Sequence, residues 1–206
     1  MPLLFRESYN STRCLSNTEE LRVASSYTDF ELIDLAIQGN DKYFAEIVNR
    51  HQSIVASSAM NMLGDMEEAR EIGQQVFIRF YQSMSSFKKE AKLSTYLTRI
   101  TINLCLNHLK RNQTFGPRTY HLDVATNISV TDQSKDLESK EIVNIALQKL
   151  EEAHRAVIVL RMIQGYDTLQ TAEILGIPKG TVLSRLKRAM DKLKTILIND
   201  FNYEYT

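Results

Sequence analysis

Glycine and proline are scarce in this chain, seven and three among 206 residues, and tryptophan is missing altogether. So few breakers leave little material for the closely spaced turns of a sandwich or barrel. No stretch of useful length alternates apolar with polar residues as a half-buried strand would. The fold class read from the sequence is therefore all-α. Cys14 and Cys105 lie far apart, without CxxC spacing or secretory context, which excludes a disulfide framework and points to reduced thiols in the cytoplasm. Cys105 and His108 are one helical turn apart, but two ligands close no zinc site. His51, His121 and His154 fall in separate segments with no HExxH spacing or nucleophile pattern and read as ordinary histidines. No metal or other cofactor is expected. Met1-Pro2-Leu3-Leu4-Phe5-Arg6 is too short an apolar run for a signal peptide, and no later run would span a bilayer, so no membrane insertion is expected. An excess of either charge is lacking too, since Lys+Arg and Asp+Glu both number 25. The chain is no general polycation, and any nucleic-acid binding has to come from segregated charge.

What the chain does have is 43% hydrophobic residues, enough for a proper core, set out at helical spacing. Residues 1–27 are polar and show no sustained period, which reads as a loose extension. Leu32, Ile33, Leu35 and Ala36 mark a short helix ending at Gly39, with Asp41 as the expected cap of the next. Phe44, Ile47, Val48, His51, Ile54, Val55, Ala59 and Leu63 recur at steps of three and four, until Gly64 closes that helix and Asp65 caps a third. The third buries Ala69, Ile72, Val76, Phe77, Phe80 and Met84, and a fourth spans about Ser94 to Arg111. Residues 113–136, with Gly116-Pro117 and many Thr, Ser, Asn and Asp, read as a linker. Beyond it, helices over Leu137 to Leu150 and Glu152 to Ile163 pack through Ile142, Ile145, Ala146, Val157, Leu160 and Met162 against a helix-turn-helix. Two helical domains follow, 28–112 and 137–206.

The helix-turn-helix is the most informative part. Its first helix should run from about Thr168 to Leu175, with Asp167 or Thr168 as N-cap and Gly176 supplying the positive φ that ends it. Ala172 lets two helices cross closely, while Leu175, Ile177, Val182 and Leu186 form the seam. Pro178 suits a first turn, and Gly180 and Thr181 allow the backbone near a phosphate. Lys179, Ser184, Arg185, Lys187 and Arg188 then line an outward face fit for the DNA major groove. The same residues would also suit a merely solvated amphipathic helix.

From Phe87 to Gln113 a second basic stretch carries Lys88, Lys89, Lys92, Arg99, Lys110 and Arg111 against one acid, Glu90. Phe87 and Tyr96 interleave with that charge near the loop between helices three and four, and Asn103 and Asn107 share one face of helix four. Rings stack on unpaired bases for about 1–3 kcal/mol each and amides read exposed edges, so this composition suits single-stranded DNA. The alternative is that both rings belong to the core. Helix three presents Glu67, Glu68, Glu71, Gln74 and Gln75 away from its apolar stripe, either to dock a basic helix of another protein or only to complement its own dipole.

Asp65 to Tyr81, read in full as DMEEAREIGQQVFIRFY, resembles the polymerase-binding helix of bacterial sigma factors. Ser86-Phe87 and Thr95 to Leu104 resemble the promoter-melting segment of their extracytoplasmic-function subfamily, and Leu150 to Leu193 resembles the minus-35 reader. The order of the three agrees as well. The resemblance implies a dissociable subunit that directs core RNA polymerase to promoters and helps open them. It assigns Asp65, Glu67, Glu68, Glu71, Gln74 and Gln75 to core binding, and Phe87 to Thr95, including Lys88, Lys92 and Thr95, to the cradle of a flipped minus-10 base. Tyr96, standing where the family usually has tryptophan, falls beside the melted strand with Arg99, Asn103 and Asn107. Lys179, Gly180, Thr181, Ser184, Arg185, Lys187 and Arg188 fall at the minus-35 element. Leu183 stands where a basic residue is frequent, and Thr168, Leu169 and Thr171 depart from the usual Tyr-Glu-Glu-Ile pattern. The resemblance further implies an anti-sigma partner.

Two weak sites joined by a tether gain effective concentration, so neither domain needs to bind promoter DNA tightly alone. The competing reading is a dimeric helix-turn-helix regulator that acts without polymerase core and recognises palindromes. An enzyme lacks support, because no nucleophile pattern, metal cluster, phosphate loop or small-molecule substrate site is legible.

Overall fold

A computed structural model describes residues 26–114 and 141–201, and among these every regular element is helical. Helix α1, Asp29–Ile37, starts from a reciprocal cap in which the Thr28 hydroxyl accepts from the Glu31 N–H while the Glu31 carboxylate accepts from the Thr28 N–H at 2.7 Å. That backbone donor holds the Glu31 carboxyl below the usual carboxylate range. Helix α2, Asp41–Leu63, is capped by Asn40 rather than by the expected Asp41. Asp41 is the first helical residue, where its charge complements the dipole. Gly64 ends α2 in the left-handed region at φ 71°, and Asp65 caps α3, Met66–Ser83, by accepting from the Glu68 N–H at 2.9 Å.

A 3-10 turn, Met84–Ser86, leads through a short loop to α4, Leu93–Thr114. This helix starts one residue before the expected Ser94 and runs three past Arg111, into the segment read as linker, because no glycine or proline interrupts it before Gly116. The remainder of that segment lies outside the described residues, as do the extension 1–25, Cys14 and His121. Helix α2 packs against α1, α3 and α4. Leu32, Ile33, Ile47, Met62, Leu63, Phe80, Leu97 and Ile102 are fully buried there. At about 1.5–3 kcal/mol per side chain, this burial outweighs any cap or surface pair as the organising force.

The second unit comprises α5, residues 141–148; α6, Glu152–Ile158, widening into a π turn over Val159–Ile163; α7, Thr168–Leu175; and α8, Lys179–Phe201. Asp167 and Gln170 cap α7 reciprocally, and Gly176 ends it at φ 64°. Leu147, Leu150, Ile158 and Ala189 form a small core of this unit with Leu186, Leu193 and Ile196. Met162, expected inside, is 58% exposed. The π turn, where the Gln164 N–H reaches back to Val159 O at 2.9 Å, breaks the 3.6-residue register that assigned it to the core.

The two units share a core. Ala156, Val159, Leu160, Tyr166 and Ile174 bury into the cluster built by α1 to α4. At the join the buried Arg155 guanidinium donates to the carbonyls of Met62, Gln148 and Leu150, and Gln148 Nε2 donates to Asn61 O at 3.2 Å. Met62 sits at the end of α2, so the charge also meets the negative pole of that helix.

Candidate nucleic-acid interface

Along α4 each residue advances about 100°, and Tyr96, Arg99, Asn103, Asn107 and Lys110, with Lys92 just before the first turn, fall within one sector. Lys92, Arg99, Asn103, Asn107 and Lys110 are exposed, and Tyr96 is half-buried. The opposite sector, with Thr98, Ile102, Cys105 and Leu109, is buried. Tyr96 packs its ring 4.8 Å from that of Phe87, and both rest on Phe80 at 6.1 and 6.2 Å. Both rings are half-buried, resting on the core through Phe80. Lys88 is exposed and Thr95 half-buried beside them.

The loop before α4 holds a feature that charge counting missed. Lys89 has φ 57°, and its ammonium lies 2.5 Å from Asp34 on α1. The partners are 55 residues apart, so no local spacing signals the pair.

On α8, Lys179, Gly180, Ser184, Lys187 and Arg188 are exposed, and Thr181 and Arg185 are half-buried. The apolar side of the helix carries Val182, Leu186, Ala189 and Leu193. Leu183 is 55% exposed on the flank of the basic face, and Leu169 of α7 is 54% exposed.

Helix α3 presents Glu67, Glu71 and Gln74 outward, with Ile78 and Met66 also exposed. Gln75 is half-buried and donates to Glu71 at 3.0 Å, and Asp65 is occupied as the cap. Glu68 does not stand on that outward face. It is half-buried, with its carboxylate 3.3 Å from His108 Nε2 of α4, because its position on the helix turns it toward that neighbour. Beside this face lies an open groove of about 550 Å³ between α2 and α3, lined chiefly by Val48, Val55, Met60, Met66 and Phe77. Among the described residues, no group of three His, Cys, Asp or Glu converges to hold a metal ion, and no helix is long and apolar enough to cross a membrane.

Residues 47–115 match the family model for Sigma-70 region 2, and residues 146–195 match that for Sigma-70 region 4. These spans contain most of α2, all of α3 and α4, and most of the helix-turn-helix. The ECF RNA polymerase sigma factor SigW of Bacillus subtilis is 32% identical over 168 residues, covering 76% of this chain and 90% of SigW. The chain belongs to the ECF family of RNA polymerase sigma factors. It directs transcription initiation by RNA polymerase, and the dimeric-regulator reading is not favoured. The sigma factor is also 31% identical to SigM of Mycobacterium tuberculosis over 170 residues, covering 82% of this chain and 85% of that protein. Its structure is similar to CnrH, solved in complex with the cytosolic domain of CnrY, with a TM-score of 0.62 and 26% identity over 84% of this chain and 98% of that one. The fold is likewise that of the sigma factor RpoE, solved with the anti-sigma factor NepR from Bartonella quintana, at TM-score 0.61 and 19% identity over 77% of this chain and 99% of that one.

Proposed function

We propose that this sigma factor divides promoter recognition between its two basic faces. The outward sector of α4, with Phe87 and the loop to Thr95, holds the melted minus-10 strand, and the face of α8 reads the minus-35 duplex. The observation that carries this reading is the coincidence, in one α4 sector, of cations, amides and a half-exposed aromatic pair. Cations attract phosphate, amides bond base edges and rings stack on bases, and an unpaired strand offers all three at once. On α8, the space beside Gly180 is open among the described residues, which leaves room for a close phosphate approach.

The exposed Glu67, Glu71 and Gln74 of α3, flanked by Met66 and the apolar groove, fit a basic amphipathic helix of the polymerase core. An anti-sigma protein is the second partner inferred, by analogy with the RpoE–NepR complex. Covering the α3 face would keep the factor from core. Its site of action is the cytoplasm, where polymerase and promoter meet, and it works as a stoichiometric subunit rather than as an enzyme.

Reconstituted transcription tests the reading. With purified core and a responsive promoter, permanganate should reveal reactive thymines around the minus-10 element only when this protein is present. Asn103→Ala with Tyr96→Ala should abolish that reactivity while leaving the minus-35 footprint in place. Persisting thymine reactivity in the double variant would overturn the assignment of α4.

A further inference from the structure

Lys89 is the sole non-glycine residue with positive φ among the described residues. A β-carbon makes that conformation unfavourable, so something outside the loop has to hold it. The holder is α1. Asp34 Oδ1 meets the Lys89 ammonium at 2.5 Å, and one turn earlier on the same helix the Phe30 ring lies 6.3 Å from the Phe87 ring. These two contacts touch the loop on either side of Lys88. Phe87 then packs against Tyr96 at 4.8 Å, which completes the aromatic pair.

We propose that Asp34 is a positioning residue for strand capture. Through Lys89 it fixes the α3–α4 loop in the one backbone path that sets Phe87 beside Tyr96 as a receptor for an unpaired base. This rests on the reading of that loop as the base-capturing element. Helix α1 then serves as a brace and need not touch DNA. Lys89, with its charge engaged by Asp34, contributes positioning, while Lys88 and Lys92 supply the phosphate attraction.

The sign of one substitution separates this from simple electrostatics. If Lys89 were only a phosphate contact masked by Asp34, Asp34→Asn would unmask it and tighten binding to every oligonucleotide. A brace predicts the reverse. Holoenzyme assembled on core polymerase is titrated with a fluorescent non-template strand spanning the minus-10 element of a promoter it transcribes, and with versions abasic at each position in turn. The wild type should lose affinity at the abasic position that corresponds to the captured base. Asp34→Asn should weaken binding of the intact strand about two- to five-fold at low salt, as expected for one partly exposed ion pair, and leave the abasic strand unchanged. The difference should fade toward 1 M salt. Affinity for core should not move, the melting temperature should fall by no more than a few degrees, and the exchanged pair, Asp34→Lys with Lys89→Asp, should recover most of the loss. Asp34→Asn binding the intact strand equally or more tightly, or losing affinity equally on the abasic strand, overturns the brace. A wild type indifferent to every abasic site would overturn base capture itself, and the brace with it.

Discussion

The Tyr166 hydroxyl lies 3.0 Å from the Thr98 hydroxyl, joining the second helical unit to the buried side of the helix whose outer side is the strand-holding face proposed above. Thr98 is fully buried, so its hydroxyl has few other places to turn.

Minus-10 and minus-35 elements lie about 25 base pairs apart, ~85 Å along duplex DNA. A compact body of this chain length has a radius of gyration of only about 17 Å. On the proposed assignment of the two faces, holding both elements at once requires the join to open. Tyr166→Phe removes one buried hydrogen bond and should lower unfolding stability by about 1 kcal/mol. It should also strengthen the combined assembly on core and promoter, by at most the corresponding factor of about five. Urea denaturation and promoter-fragment titration with core measure the two effects, and a loss of stability with weaker assembly would contradict the opening.

Arg155 binds three carbonyls from two units with one guanidinium, including Gln148 O at 2.8 Å and Leu150 O at 3.0 Å. Arg155→Ala should cost about 2–4 kcal/mol, because charged hydrogen bonds are lost and the carbonyls are left in the interior. Arg155→Lys should recover less than half, since an ammonium lacks the planar fork. Full recovery of stability by lysine in urea denaturation would show that charge alone sufficed.

Burial pushes the Cys105 thiol up to about 12. The native thiol should resist a thiol-reactive dye at pH 8 and react only on unfolding. In the unfolded chain this group ionises near its ordinary value, whereas in the native state it stays protonated. Its stabilising contribution is thus complete below about pH 9 and declines from there toward pH 12. Denaturation midpoints from pH 7 to 10.5 for the wild type and Cys105→Ala should converge as pH rises; a constant gap would refute the linkage.

On α8, Lys187→Ala and Arg188→Ala should each weaken promoter binding by about 1–3 kcal/mol, with the larger salt-dependent part at low ionic strength. Leu183 offers the opposite experiment, being 55% exposed beside the basic face. Leu183→Arg should tighten promoter binding and steepen the salt slope by about one unit. An unchanged slope would place Leu183 away from the DNA backbone.

Much of the fold was legible because its signals are local. Gly64, Asp65, Asp167 and Gly176 act on backbone groups within a few residues, and each ends or starts a helix where the sequence pattern places it. Asn40 and Asp41 are both competent caps one residue apart, so their order was decided by how the chain enters α2. Met162 was misplaced because a π turn leaves no periodic trace. The polar residues of α3 were legible as a group, but not that Glu68 turns to His108 while Glu67 and Glu71 stay exposed.

The sequence alone determined most of the helices, the caps at Asp65 and Asp167, the basic faces of α4 and α8 and the family to which they belong. All of these rest on contacts within a helical turn or on motif order. Tertiary structure decided what those faces are attached to: the shared core, the Arg155 bonds across the join and the hold of Asp34 on Lys89. Such pairings connect residues tens of positions apart, and their partners are chosen by whole-chain packing, which no local period encodes.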